Sequence, residues 1–213
     1  MTPRGKRLQE EELQKRRAQG LYSFQRRVAN VIPIRRSFLI ICGGQETEPN
    51  YFESFGLRSA KVIGRGDDPQ KLVEVAIGLK DADPGRHEYW CVFDRDSFPS
   101  NRFNLAIERA KAYGFQVAYS NEAFELWYLL HYQYMDSGIV RSLYYPKLDV
   151  LLNHSYVKNS ETMYAELRDR QDIAIQNAER LLATYGADHN PESDNPSTTV
   201  HLLVKALNAA LSG

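Results

Sequence analysis

From residue 37 onward the chain alternates two patterns: short continuous apolar runs, and longer stretches whose apolar residues recur every three or four positions. SFLIIC, Ser37 to Cys42, predicts a buried strand running into a Gly43-Gly44 turn. PNYFESFGLRSA opens with Pro49, where a first-turn proline loses no hydrogen bond, and predicts a helix. KVIGRG, residues 61–66, predicts a second short strand. DPQKLVEVAIGLKDAD sets Leu72, Val75, Ala76 and Leu79 on one helical face, with Asp68 as its cap. EYWCVFD predicts a third strand, SNRFNLAIERAKAYG a helix closed by Gly114, and FQVAYS a fourth strand. NEAFELWYLLHYQY then places Phe124, Trp127, Tyr128 and His131 at helical spacing.

Apolar strands separated by amphipathic helices imply an α/β fold: a mostly parallel sheet of about four strands with helices on both faces. Beyond Tyr134 the pattern turns helical, over roughly 147–153, 161–185 and 197–211, with loops of Asp, Asn, Pro and Ser between. The expected organisation is a basic arm (1–36), an α/β core (37–134) and a helical C-terminal part packed on it (135–213). A chain of 213 residues suits one such domain with an extension. No run of ~18 apolar residues occurs, so no membrane span is expected. The N-terminus lacks the apolar stretch of a signal peptide. Cys42 and Cys91 both lie within apolar runs and are expected as buried free thiols of a cytoplasmic protein.

Charge changes this picture. The chain is formally neutral, yet residues 1–36 hold ten basic residues against Glu10, Glu11 and Glu12, a net +7 that leaves −7 on the remainder. A basic arm ahead of an acidic body is a pattern of nucleic-acid contact, with Arg16, Arg17, Arg26, Arg27, Arg35 and Arg36 as candidate phosphate contacts. The same arm would also suit a solvated helix, docking on the body's own acids, or contact with a second subunit.

In a parallel sheet, ligands gather outside the carboxyl ends of the strands. Three predicted strand ends deliver acids: Glu46 and Glu48 after the first, Asp94 and Asp96 after the third, Glu122 and Glu125 after the fourth. Oxygen-rich clusters of this kind suit Mg²⁺ or Mn²⁺, which bind a few carboxylates and keep waters for phosphates. The period-two spacing of Asp94 and Asp96 would put both on one side of an extended segment, with Arg95 turned away in a structural role. Glu125 would also favour a helix dipole, with Asn121 as cap. Phe124, Trp127, Leu130 and His131 read as core, and His201 as packing.

The ordered set FLIICGGQETEPNYFESF, WCVFDRDSF, VAYSNEAFELWYLLHY, SYVK, AIQNAERL and NPSTTVHLLVKAL resembles the RloB-like family over most of the chain from Ser37. That family's core is similar to the Toprim domain of topoisomerases, primases and OLD-type nucleases. Its members are associated with restriction-modification and phage-defence loci. The resemblance implies Mg²⁺ or Mn²⁺ carried partly by Asp94 and Asp96, and phosphodiester chemistry on DNA or RNA, tRNA included, in restriction or abortive infection. A defence-system partner protein or a homo-oligomer would fit the same setting. It also lends a site role to Glu125 and Lys158. Asn195 matches a polar motif position too, although Asn195 or Ser197 equally suits a helix cap. One departure stands out: where the family's first strand usually ends Cys-Glu-Gly, this chain reads Cys42-Gly43-Gly44. Glycine can neither position nor deprotonate a water. Three readings follow: a non-catalytic binder that still takes metal, substitution by Glu46 or Glu48, or a glycine that silences a toxic nuclease. A nucleotide-binding phosphotransferase is the competing class, but GRGDDP lacks the lysine and hydroxyl of a phosphate loop.

Overall fold

The structure, a computed structural model, describes residues 10–16, 36–85, 87–96 and 102–213. Two units separate, residues 1–35 and residues 36–213. In the first, residues 10–16 are helical with exposed side chains, Arg16 among them. Arg17, Arg26, Arg27 and Arg35 lie outside the described residues.

The second unit is built on a mixed sheet. Strands β1 (Ser37–Cys42), β2 (Ala60–Gly64), β3 (His87–Asp94) and β4 (Gln116–Asn121) run parallel. A two-residue β5 (Ser197–Thr198) joins β4 antiparallel, giving the order β2-β1-β3-β4-β5. Eight helices accompany them among the described residues of this unit. They are α1 (Thr47–Glu53), α2 (Pro69–Ala82), α3 (Arg102–Ala112), α4 (Glu125–Leu130), α5 (Tyr144–Leu152), α6 (Met163–Leu167), α7 (Gln171–Tyr185) and α8 (Val200–Leu211). No described helix is long and apolar enough to cross a membrane.

Strand alternation divides the core in two. Phe38, Ile40, Cys42, Trp90 and Val92 face one layer, filled by α1, α4 and the C-terminal helices α5 to α8. Leu39, Ile41, Tyr89, Cys91 and Phe93 face the other, covered by α2 and α3. Both cysteines are buried and free, as expected. Val73, with Leu72 and Ala76, fills the buried stripe of α2, while the expected Val75 stays half-exposed. Asp68 caps that helix as its position suggested, accepting the N–H groups of Gln70 and Lys71 at 3.0 and 3.1 Å. Gly114, at φ +77°, closes α3.

The connection leaving β1 crosses to the α1 layer and that leaving β3 crosses to the α3 layer. Adjacent strands whose connections part to opposite faces open a crevice at their carboxyl ends. The Gly43-Gly44 turn and the Asp94-Asp96 turn flank that crevice.

Several expected elements changed length. The 121–134 helix is only Glu125–Leu130: Asn121 is the last residue of β4, and no side chain caps α4. The helix expected to start at Pro49 begins at Thr47 and stops at Glu53. The 161–185 helix is α6 and α7 separated by a 3₁₀ turn, Arg168–Arg170. Helix α8 begins at Val200, so neither Asn195 nor Ser197 caps it; Ser197 pairs in β5 instead.

Candidate functional site

Helix α1 is short, and packing holds it. The ring of Tyr51 touches those of Phe52, Phe55, Phe124, Tyr128 and Tyr164, with centroids 5.4 to 5.9 Å apart. Such pairs add about 0.5–1.5 kcal/mol each beyond the area they bury. This cluster fixes α1 against α4, and therefore fixes Glu48 relative to Glu125.

Both glutamates are buried, and with Asp94 they line one cavity of about 690 Å³ at the carboxyl ends of the strands. Asp96, Glu46, Lys158 and Arg141 line it too. Burial pushes the Asp94 carboxyl well above the usual carboxylate range, and Glu48 and Glu125 add to the push; the Phe124 N–H and Arg141 oppose it. One oxygen of Asp94, Oδ1, is buried with no hydrogen-bond partner among the described residues. Burial likewise raises Glu48, with Glu125 adding, while its own N–H, the Gly44 N–H and the charge of Lys158 act the other way. Glu125 Oε1 accepts a 3.2 Å hydrogen bond from the buried Tyr156 hydroxyl.

The Glu48 carboxylate lies directly over Gly44. A Cβ built at 44 would stand 1.9 Å from Oε2. The second glycine of the turn thus makes room for a carboxylate.

Lys158 is exposed, on the loop between α5 and α6, and its neighbour holds that loop in place. Asn159, at φ +66°, takes Thr47 Oγ1 on its side-chain oxygen at 2.6 Å and Asn50 Nδ2 on its carbonyl at 2.8 Å. Helix α1 therefore carries Glu48 and anchors the lysine loop as well.

Asp94 and Asp96 reach one cavity, but not by alternating along an extended segment. The strand ends at Asp94, and Asp96 adopts φ +46° in a turn, its N–H bonded to Glu122 O at 3.1 Å. Its carboxylate is in an ion pair with Arg141. Arg95 donates to the Asp96 carbonyl at 2.7 Å, in the structural role expected of it. Glu122 does not line the cavity; its carboxylate accepts the Arg141 backbone N–H at 2.8 Å. Glu46 is exposed at the start of α1. Arg36 sits at the amino end of the sheet, away from the cavity, bonded through two nitrogens to Glu88 at 2.5 and 2.8 Å and through a third to the Ala206 carbonyl. His131 and His201 are buried core, their imidazoles pushed down to about 4, chiefly by desolvation.

Among protein-family models, the RloB-like protein model matches residues 38–207 of the 213. The chain belongs to the RloB-like family. Searches of curated proteins and of solved structures returned no match. Against that family's usual Cys-Glu-Gly, the backbone at Gly43 does not demand glycine. Its φ lies outside the left-handed region, and a Cβ there would meet Phe93 Cβ at 3.3 Å, a tight contact with a side-chain carbon.

Pattern reading missed Arg141, Asn159 and Tyr156. Arg141 sits in a stretch without periodicity, and only the fold brings it to Asp96. Tyr156 had a signal, since it stands two residues before Lys158 in the SYVK motif.

A divalent cation suits these residues in chemistry more than in ready-made geometry. Among the described residues no group of three or more His, Cys, Asp or Glu side chains is arranged to hold a metal ion. Mg²⁺, however, commonly takes one or two carboxylates and keeps several waters. The buried Asp94 Oδ1 has no hydrogen-bond partner among the described residues, and Glu48 and Glu125 line the same cavity.

Proposed function

We propose that the protein is a divalent-metal-dependent phosphodiesterase of Toprim type that cuts nucleic acid, acting in a restriction or abortive-infection system. The observation that carries this reading is the meeting of Glu48, Asp94 and Glu125, from three separate chain segments, in one cavity that Arg141 and Lys158 also line. Buried acids such as Asp94 and Glu48, whose proton affinities burial and neighbouring acids raise, are costly for a fold unless a cation or a proton-transfer role uses them.

Asp94, with Glu48 or Asp96 beside it, would hold Mg²⁺ or Mn²⁺, which when bound would neutralise charge on a phosphodiester and acidify a water. Glu48 is the proton acceptor of this scheme, because burial and Glu125 raise its proton affinity above that of an ordinary carboxylate. Tyr156 holds Glu125 in place, and Lys158 supplies positive charge to the phosphate or to the departing oxygen. The substrate's strands are the remaining partner, with the basic arm adding sequence-independent affinity.

A second reading, a metal- and nucleic-acid-binding subunit without catalysis, draws on Gly43. No φ in the left-handed region requires glycine there, and the chain lacks a carboxylate at the end of its first strand. Cleavage of labelled RNA and DNA in Mg²⁺, Mn²⁺ or EDTA, by the full chain and by Asp94→Asn and Glu48→Gln, decides between them. Metal-dependent cutting lost in both variants supports the enzyme. Retained metal and nucleic-acid binding without any cutting leaves the binding subunit.

A further inference from the structure

Arg141 is the cavity residue whose present contact fits least well with a purely structural role. Its guanidinium is paired with Asp96, and both side chains remain open to solvent, at 41% and 34% exposure. Ion pairs this exposed hold little free energy and exchange readily with other partners. Nor is the pair needed to shape the backbone on either side. Glu122 holds both strands of the contact by itself: its carbonyl accepts the Asp96 N–H and its carboxylate accepts the Arg141 N–H. Arg95 adds a bond to the Asp96 carbonyl. With both main chains pinned, the guanidinium can swing without moving the turn that carries it, Arg141–Leu143, in which Leu143 and the preceding Val140 are exposed.

A guanidinium fork matches a carboxylate and a phosphate equally well, by two parallel N–H···O bonds. Lys158, from the loop between α5 and α6, lines the same cavity from a separate segment. We propose that Arg141 binds the phosphate of the nucleic-acid substrate, and that its pair with Asp96 is the resting contact of an empty site. Arrival of substrate exchanges the carboxylate for a phosphate oxygen and frees Asp96 toward the cation. This rests on the functional reading above.

The test measures two ligands separately on the full chain. Mn²⁺ alone is titrated by electron paramagnetic resonance. A labelled mixed-sequence single-stranded RNA, and the DNA of the same sequence, are titrated in EDTA by fluorescence anisotropy. Arg141→Met should bind Mn²⁺ more tightly, by up to roughly fivefold, the scale of one exposed ion pair. It should bind the oligonucleotides at least ~10-fold more weakly, as a lost charge-assisted contact predicts. Arg141→Lys should fall between. Asp96→Asn should reverse both signs: weaker Mn²⁺, tighter oligonucleotide. Both affinities falling together in Arg141→Met, or neither moving, would show a structural arginine and overturn the proposal while leaving the enzyme reading intact. A wild-type chain that takes up no Mn²⁺ overturns the enzyme reading, and the exchange with it.

Discussion

Gly44→Ala isolates one carboxylate without touching its chemistry. An alanine Cβ would stand 1.9 Å from Glu48 Oε2, whereas ordinary contacts begin at 3.4 Å, so the carboxylate must retreat by about 1.5 Å. The obstacle is the end of a flexible side chain, so the cost in stability should stay at or below the ~1–3 kcal/mol of overpacking. Function should suffer far more, since a misplacement of about 1 Å near reacting groups costs ~10²-fold. Cleavage of labelled RNA or DNA should therefore drop at least ~10²-fold, and Mn²⁺ affinity should fall in parallel, while the variant still melts cooperatively. Gly78→Ala is the control: that helical glycine meets nothing within 4 Å, and alanine there should stabilise α2 by about 1 kcal/mol with activity unchanged. Wild-type cleavage and Mn²⁺ affinity in Gly44→Ala would refute the placement of Glu48 in the site.

Gly43→Glu places a glutamate where the family resemblance expects one, at the cost of easing Phe93 Cβ away from 3.3 Å; with Glu48 as the proton acceptor cleavage should change little, and a gain of the ~10²–10⁴-fold of a positioned base would move that role to position 43. Compared with an Asp94→Asn, Glu48→Gln variant, the metal-free protein should lose stability as pH rises above the ordinary carboxylate range, against the opposite trend that the buried His131 and His201 give to both proteins. Burial and mutual repulsion raise the folded-state affinities of Asp94 and Glu48 for protons, so their ionisation destabilises the fold as pH rises. Saturating Mn²⁺ should remove that loss in differential scanning calorimetry, and identical pH slopes for the metal-free protein and the variant would contradict it. Deleting residues 1–27 should weaken oligonucleotide binding and flatten its salt dependence, whereas Arg36→Ala should leave both unchanged and cost up to ~1 kcal/mol of stability through Glu88.

The four parallel strands were legible because each is a continuous apolar run bounded by glycine or polar residues. The rim acids followed from the strands. What escaped was either short or buried all round. Ser197–Thr198 is too brief to show alternation, and every residue of Glu125–Leu130 is buried, so α4 carries no polar face to mark its ends. Asp96 was misplaced because spacing assumes an extended chain, and the chain turns after Asp94. Arg141 meets Asp96 from 45 positions further along the chain, a separation that local pattern does not reach.

Because Asn159 is bonded to the same seven-residue helix that carries Glu48, acid and lysine are not adjusted independently. Their separation is inherited from one small lever. Insertions elsewhere in the α5–α6 connection leave it intact, but a change of length between Tyr156 and Asn159 moves both charges out of step. Transplanting this chemistry to another scaffold would require residues 47–50 and 156–159 to travel as a unit.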